Sequence, residues 1–325
     1  MTRFAVLGAG VAGLCVATEL AARGAQVTLH DPAGGPGAHG CSWWAGGMLA
    51  PWCEYENAEE PVLIHGQMAL GWWGARTEVA TRGTLVVAHA RDRSDLDRFA
   101  RRTHGHAPVT GAEIAALEPD LGARFPAGLY FEAEGHLDPR RALTDLAESL
   151  VTRGVPVRDD APPSGAQIVD CTGLAARDVL PELRGVKGEM LVIRAPDLSL
   201  TRPVRLLHPR IPLYIVPRGD GVYMLGATMV EAEDRGRISA RAMLELLSAA
   251  YALNPAFAEA EILEIGTDLR PAFPDNLPRV TREGGVTYVN GLYRHGYLLA
   301  PAMAQQAAEA LLGPTPSETA HAACH

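Results

Sequence analysis

The chain has 325 residues, above the usual size of one domain, so two domains are the starting expectation. Hydrophobic residues make up 47% and charged residues 21%, enough apolar content for a sizeable soluble core. A formal net charge of -9 speaks against a generic affinity for nucleic acid or an anionic membrane.

In chain order, residues 3–8 (RFAVLG) form a short apolar run that suits a buried parallel strand. Residues 11–23 carry helical periodicity, with Leu14, Ala17, Leu20 and Ala21 on one face, and Gly24 closes the helix. Residues 25–31 (AQVTLHD) supply a second strand, completing a βαβ unit of the size of a dinucleotide-binding half. The stretches 83–90, 128–138, 188–196 and 211–229 then read as strands, the last folding back at Arg218-Gly219-Asp220-Gly221. Helical stretches lie near 92–103 and 239–252. Short buried-strand character returns at 153–158, 166–173 and 285–291, and 301–312 reads as a helix.

That order implies a discontinuous nucleotide domain made of residues 1–80, 139–185 and 266–312. An α+β domain built on an antiparallel sheet, 81–138 and 186–265, is inserted between the pieces, and 313–325 is expected to be a disordered tail.

The sharpest motif is Gly8-Ala9-Gly10-Val11-Ala12-Gly13, a GxGxxG run between a strand and a helix. The first glycine permits the tight turn, the second lets a pyrophosphate approach the backbone, and the third lets helix and strand pack closely. The helix N-terminus faces the phosphates with unpaired N–H groups. Asp31, followed by Pro32, ends the second strand where an acid accepts ribose hydroxyl protons. A lone GxGxxG can be only a tight turn; with strand, helix and acid in place the nucleotide reading prevails.

The motif does not by itself separate NAD from FAD, but the next segment does. Cys41-Ser42-Trp43-Trp44-Ala45-Gly46-Gly47-Met48-Leu49-Ala50-Pro51 is apolar and small, a backbone that can lie flat against a ring system. A third constellation, Asn290-Gly291-Leu292-Tyr293-Arg294-His295-Gly296-Tyr297-Leu298, joins a strand to a helix. A helix N-terminus there aims its positive end at the ring atoms where charge collects on flavin reduction. Non-covalent FAD is the expected cofactor, for no cysteine lies beside the Leu269-Arg270-Pro271 motif to tether it.

These segments, with KGEM at 187–190, YIVPR at 214–218, GATM at 226–229, DLRP at 268–271 and GLYRHGYLLAPAM at 291–303, resemble the D-amino-acid oxidase superfamily from residue 1 to about 312. Within it the likeness is to the thiamine-pathway glycine oxidases. The resemblance implies an α/β Rossmann-like FAD domain with an α+β substrate domain. It implies that Arg270 holds a substrate carboxylate in a forked pair, with Arg294 near the substrate and Tyr214 reaching the carboxylate. Met48 and Met229 would line a small pocket, and Val157 and Gly173 would lie on the adenine side of the FAD site. Pro212 and Leu213 depart from the family, which carries more polar residues before that tyrosine. A planar guanidinium suits a carboxylate for independent reasons, since it forks and keeps its charge.

The implied activity is oxidation of a small amino acid, glycine first, to the imino acid with release of peroxide, feeding thiazole synthesis. Sarcosine, D-proline or broader D-amino acid oxidation or dehydrogenation is the first alternative, and a non-turning-over flavin-binding partner or redox sensor the second. The implied partners are the amino acid and O2. A homo-oligomer and a transient contact with the thiazole-forming enzyme are compatible with the sequence.

The remaining residues take plainer readings. Cys15, Cys41, Cys53, Cys171 and Cys324 show no metal or disulfide spacing, and Cys15 and Cys171 read as small core residues. His104-Gly105-His106 reads as a surface loop, not a metal site. Lys187, the only lysine, reads as structural. No apolar stretch approaches the ~18 residues of a membrane span, and no charged leader precedes the first strand, so a cytoplasmic protein is expected.

Overall fold

In the computed structural model, residues 2–208 and 213–314 are described. Ile211 and Pro212 of the expected 211–229 strand, and the tail beyond Pro314, lie outside the described residues. Two large sheets organise the chain. The first has six strands in the order β15 (Arg279–Glu283), β16 (Val286–Asn290), β9 (Gln167–Asp170), β1 (Arg3–Leu7), β2 (Gln26–His30) and β8 (Val157–Arg158). All its pairs are parallel except β15 with β16.

The second sheet has eight strands: β14 (Glu261–Ala272), β10 (Arg184–Arg194), β13 (Val222–Gly226), β12 (Leu213–Gly219), β11 (Val204–Leu207), β4 (Thr84–Ala88), β6 (Ala127–Phe131) and β5 (Ala107–Thr110). It is antiparallel, as expected, apart from one parallel pair, β11 with β4. A two-stranded ribbon, β3 (Met48–Leu49) with β7 (Gly135–His136), completes the set. No helix of the described residues is long and apolar enough to cross a membrane.

Several expected boundaries shift, among them three with a physical reason or consequence. The stretch 128–138 is two strands, β6 and β7, because a turn after Phe131 sends its second half to the ribbon. Only Val157–Arg158 of 153–158 is strand. The C-terminal helix runs Gly296–Leu312, starting five residues before Pro301, which sits inside it. Proline removes the donor that would meet the carbonyl four residues back. That carbonyl, of Tyr297, instead accepts a 2.7 Å bond from the Trp73 indole, so the helix keeps its satisfied backbone.

The first helix, Val11–Ala22, is buried from Val11 to Leu20, a nearly all-round apolar surface that demands cover on every side. It sits in one core with the Pro139–Thr152 and C-terminal helices. Its one acid, Glu19, accepts from the Trp72 indole at 2.6 Å and pairs with Arg76. A second core forms where the Ala240–Leu253 helix covers the eight-stranded sheet with Leu246, Ala249, Ala250 and Leu253. The first sheet draws its strands from 3–30, 157–170 and 279–290, the second from 84–131 and 184–272. On that basis we propose the three-piece domain division, noting that β10 and β14 each run across one of its boundaries.

Lys187 is buried on β10, where its ammonium meets Asp234 at 3.4 Å, Glu189 at 3.8 Å and the Arg237 carbonyl at 3.1 Å. Cys15 and Cys171 are buried, and His104 and Gly105 are exposed. No group of acidic, His or Cys side chains among the described residues could hold a metal.

One buried pair ties the eight-stranded sheet to its covering loops. Glu118, fully buried, accepts from Arg202 Nε at 2.8 Å and from the Thr201 hydroxyl at 2.8 Å. Arg202 in turn donates to the Arg82 and Leu117 carbonyls. Removing one partner strands the other charge in a dry site, so Glu118→Ala is expected to cost on the order of 3–5 kcal/mol. Urea denaturation of the folded holoprotein checks this, and a loss below about 1 kcal/mol would mean water reaches Arg202.

Candidate functional site

The glycine loop is built by contact. Gly8 adopts φ 91°, and a side chain there would meet the Cys171 carbonyl at 2.9 Å. A Cβ on Gly13 would sit 1.8 Å from the Gly8 carbonyl, so helix and strand touch backbone to backbone. Gly10 is different: its nearest neighbour in reach is Ser42 Oγ at 3.2 Å, leaving its face open. Gly10 also caps the first helix without any side-chain bond. Asp31 Oδ2 accepts from Ala9 N at 2.7 Å and Oδ1 from Ala33 N at 2.9 Å. The acid thus fixes the loop, a duty its spacing alone did not reveal. Ser42 Oγ accepts from Val11 N at 3.1 Å, tying the second motif to the first.

The Cys41–Ala50 segment is held from behind. Arg218, at the end of YIVPR, donates to the carbonyls of Leu137 (2.8 Å), Ala45 (3.0 Å) and Gly46 (3.0 Å). Gly47 has no room for a side chain, since a Cβ would lie 2.2 Å from the Leu137 carbonyl. Tyr297 donates its hydroxyl to the Ser42 and Pro139 carbonyls. Arg218 was missed as a functional residue in the sequence; an arginine in an otherwise apolar strand was the available signal.

At the far end, Arg270 rises from β14 and lies across Gly188 of β10. A Cβ on Gly188 would be 2.2 Å from Arg270 Nη2. Arg270 Nη1 donates to the Thr228 carbonyl at 3.1 Å, and the guanidinium lines the cavity. The Tyr214 ring rests near Gly46 and Gly226, each of which would clash or crowd it with a Cβ. Burial pushes its hydroxyl pKa up, against the pull of Arg270.

Arg294 is not free. Its Nη2 meets Glu54 Oε2 at 3.3 Å, and the same oxygen lies 3.2 Å from His295 Nε2. Burial works against the Glu54 charge, but Arg294 and His295 hold its carboxyl well below the usual range. Burial lowers the His295 pKa in spite of the opposing pull of Glu54. Glu54 is a second residue that no local pattern flagged; it lies 240 positions from Arg294. Met229 is half-exposed at the rim, its sulfur 3.5 Å from the Tyr293 hydroxyl, while Met48 is partly buried against two core clusters.

Most of the motif residues line one cavity of about 860 Å³. Of the residues expected at the site it gathers Gly8, Gly10, Val11, Ala12, Asp31, Pro32, Cys41, Ser42, Gly46, Gly47, Met48, Gly173, Tyr214, Met229, Arg270 and the run from Leu292 to Leu298. Two fall outside the wall. Gly13 lies behind the loop against Gly8, and Val157 pairs with Leu29 on β8 and packs on the first core. Leu213 lines the cavity, whereas Pro212 lies outside the described residues.

An extended dinucleotide with a ring at its end fits this shape. The open Gly10 backbone and the N-terminus of the first helix would suit its phosphates, and the first turn of the C-terminal helix, whose N-cap makes no side-chain bond, lines the same cavity. FAD in this cavity would be held by the glycine loop, Asp31, the Cys41–Met48 segment and the Leu292–Leu298 turn.

Comparison with known proteins agrees with that geometry. Residues 3–310 match the family model described as FAD dependent oxidoreductase. A Rhizobium etli protein assigned by name as a thiamine biosynthesis oxidoreductase, ThiO, is 56% identical over 95% of this chain and 96% of its own length. The bifunctional protein ThiO/ThiG of Nostoc sp. is 28% identical over 96% of this chain and 53% of that longer protein. The crystal structure of glycine oxidase from Geobacillus kaustophilus has a TM-score of 0.77 at 23% identity, covering 95% of this chain and 94% of that one.

The openness of Gly10 gives a direct test of the phosphate loop. Gly10→Val places a branched side chain where the backbone must approach the pyrophosphate. The purified variant is expected to lose its flavin on gel filtration while keeping its far-UV circular dichroism. Full flavin absorbance would show that the phosphates lie elsewhere.

Proposed function

The chain belongs to the FAD-dependent oxidoreductase family, with FAD as its cofactor, and from that premise we propose that it oxidatively deaminates a small amino acid, glycine above others. The observation that carries this reading is a guanidinium, Arg270, held over Gly188 in the same cavity as the glycine loop, with Tyr214 beside it. The fork suits a carboxylate, and the ring of Tyr214 brings a hydroxyl to the same side.

Each side chain has a task in this reading. Arg270 and Tyr214 orient the carboxylate, so that Cα is presented at the ring. Glu54 occupies Arg294 and leaves the carboxylate to Arg270. Met48 and Met229 flank Cα and favour a substrate with hydrogen there. When bound, FAD supplies the hydride acceptor and passes the electrons to O2, giving peroxide. The product imino acid hydrolyses to glyoxylate or is handed on. The names borne by the Rhizobium and Nostoc relatives support a place in thiamine thiazole synthesis and a transient contact with the thiazole-forming enzyme.

Anaerobic mixing of the holoprotein with glycine, sarcosine, D-alanine and D-proline tests the reading. Bleaching of the flavin by glycine, with peroxide formed under air, is expected; bleaching without peroxide would make it a dehydrogenase, and no bleaching by any amine would remove the reading. Arg270→Ala should cost about 3 kcal/mol in kcat/KM, and Arg270→Lys should recover part, because an ammonium cannot fork. Unchanged kcat/KM in Arg270→Ala would put the clamp elsewhere.

The methionines set a size limit. One added methylene is penalised by ~1–3 kcal/mol, so D-alanine and sarcosine should be slower than glycine but not excluded. Met229→Ala should raise kcat/KM for larger D-amino acids and lower it for glycine. A wild-type preference for D-phenylalanine over glycine would end the glycine assignment and leave the flavin oxidase one.

A further inference from the structure

We infer that Glu134, a carboxyl buried behind the cavity wall, is a positioning residue for the reaction. It anchors the turn that sets Glu54 against Arg294, and so keeps Arg294 from drawing the substrate carboxylate away from Arg270. The inference rests on the amino-acid oxidase reading above and deepens it.

The anchor is built from two directions. Glu134 is fully buried, and its Oε1 accepts from Cys53 N at 2.7 Å, with the Trp52 N–H beside it. Its own backbone is tied down, since its carbonyl accepts from Gly83 N at 3.0 Å. Immediately after it, β7 pairs with β3, placing Gly135 opposite Leu49 and His136 opposite Met48. The ribbon and the Glu134 carboxyl therefore grip one stretch, Met48 to Glu54, near its two ends. Between those grips the chain closes a single turn, Pro51–Glu54, with Glu54 N donating to the Ala50 carbonyl at 3.0 Å. A four-residue helix has no stability of its own, so the aim of its last side chain depends on what holds its N–H groups.

That last side chain is Glu54, which lines the cavity and meets Arg294 Nη2 at 3.3 Å and His295 Nε2 at 3.2 Å. Once released from Glu54, Arg294 is a second guanidinium in the cavity that Arg270 lines. A carboxylate held there is bound but misplaced, and its Cα is no longer presented to the ring. Glu134 thus acts two contacts away from the substrate, through Glu54 and then Arg294.

Glu134 holds the turn as the neutral acid. Its partners are N–H groups and the Thr84 hydroxyl of β4, and the Glu54 carboxylate opposes a second negative charge so close by. Burial pushes the Glu134 pKa up to about 8. The Cys53 thiol lies in the same turn, with Arg205 of β11 at 3.8 Å from its sulfur, and His136 follows in β7. Below that pKa the carboxyl anchors the turn without repelling Glu54, and above it the new charge pushes Glu54 away.

The test is anaerobic reduction of the FAD-loaded protein by glycine, read as a limiting rate and a half-saturating concentration. In Glu134→Leu, the freed Arg294 holds glycine unproductively, so both quantities should fall together by at least roughly threefold while their ratio changes little. Glu134→Gln, whose amide can accept from Cys53 and donate to Thr84, should recover most of the loss. Glu54→Gln should reproduce the joint fall, and combining it with Glu134→Leu should add nothing, because both changes act on one contact. A slower limiting rate with a raised half-saturating concentration, or effects that add, would mean general loosening and overturn the role. If Glu134→Leu fails to fold, the alkaline limb decides. Above about pH 8 the wild type should show the joint fall relative to Glu134→Gln, and superimposable profiles overturn the role. Reduction by glycine that is unmoved in Glu134→Leu removes the role alone. A flavin that no amine reduces removes the oxidase reading and the role with it.

Discussion

The guanidinium of Arg218 is the contact on which the cavity depends. It reaches from the eight-stranded sheet to the carbonyls of Ala45 and Gly46 and of Leu137, and so fixes the small-residue segment against the strand that feeds the Pro139–Thr152 helix. Buried carbonyls without donors are costly, and here one side chain answers three of them with a rigid fork. The segment can then remain Ala- and Gly-rich, with no bulky residue of its own to anchor it. A flat wall for a ring follows from a cation placed behind it.

The arginines divide the work by how fully their donors are spoken for. Arg218 spends its fork on carbonyls and holds shape. Arg294 is matched to Glu54 and holds its charge in the cavity wall. Arg270 makes one bond to the Thr228 carbonyl and keeps a face in the cavity. A protein of net charge -9 thus sets the Arg270 and Arg294 guanidiniums in the wall of one cleft, where low dielectric makes charge count for an anionic ligand more than surface charge would.

What could be read from the sequence was what local geometry demands. The glycine loop, the first helix and Asp31 follow from backbone approach within about thirty residues, and the C-terminal turn follows from a strand running into a helix. The two sheets could be sorted because their strands cluster along the chain. Residues whose meaning depends on distant partners stayed hidden: Glu54 beside Arg294, Arg218 beside Ala45, and the Ser42 hydroxyl on Val11. The split of 128–138 was illegible for the same reason, since a turn among alternating residues shows only when each half finds its own partner strand. Pro301 misled in another way. Its rule assumes an orphaned carbonyl, and Trp73, more than two hundred residues away, removes the orphan.

Lys187 has a use outside the chemistry of the cavity. The one lysine of the chain is 6% exposed on β10, and its ammonium is held by Asp234, Glu189 and the Arg237 carbonyl of the irregular segment that follows β13. That segment also carries Met229 and Arg235 to the cavity wall. Acylation of this side chain requires the segment to lift, because a shielded ammonium meets no reagent until its surroundings open. The rate at which Lys187 is modified therefore clocks the opening of the cavity rim, and a single mass increment on one peptide reads it without any introduced label.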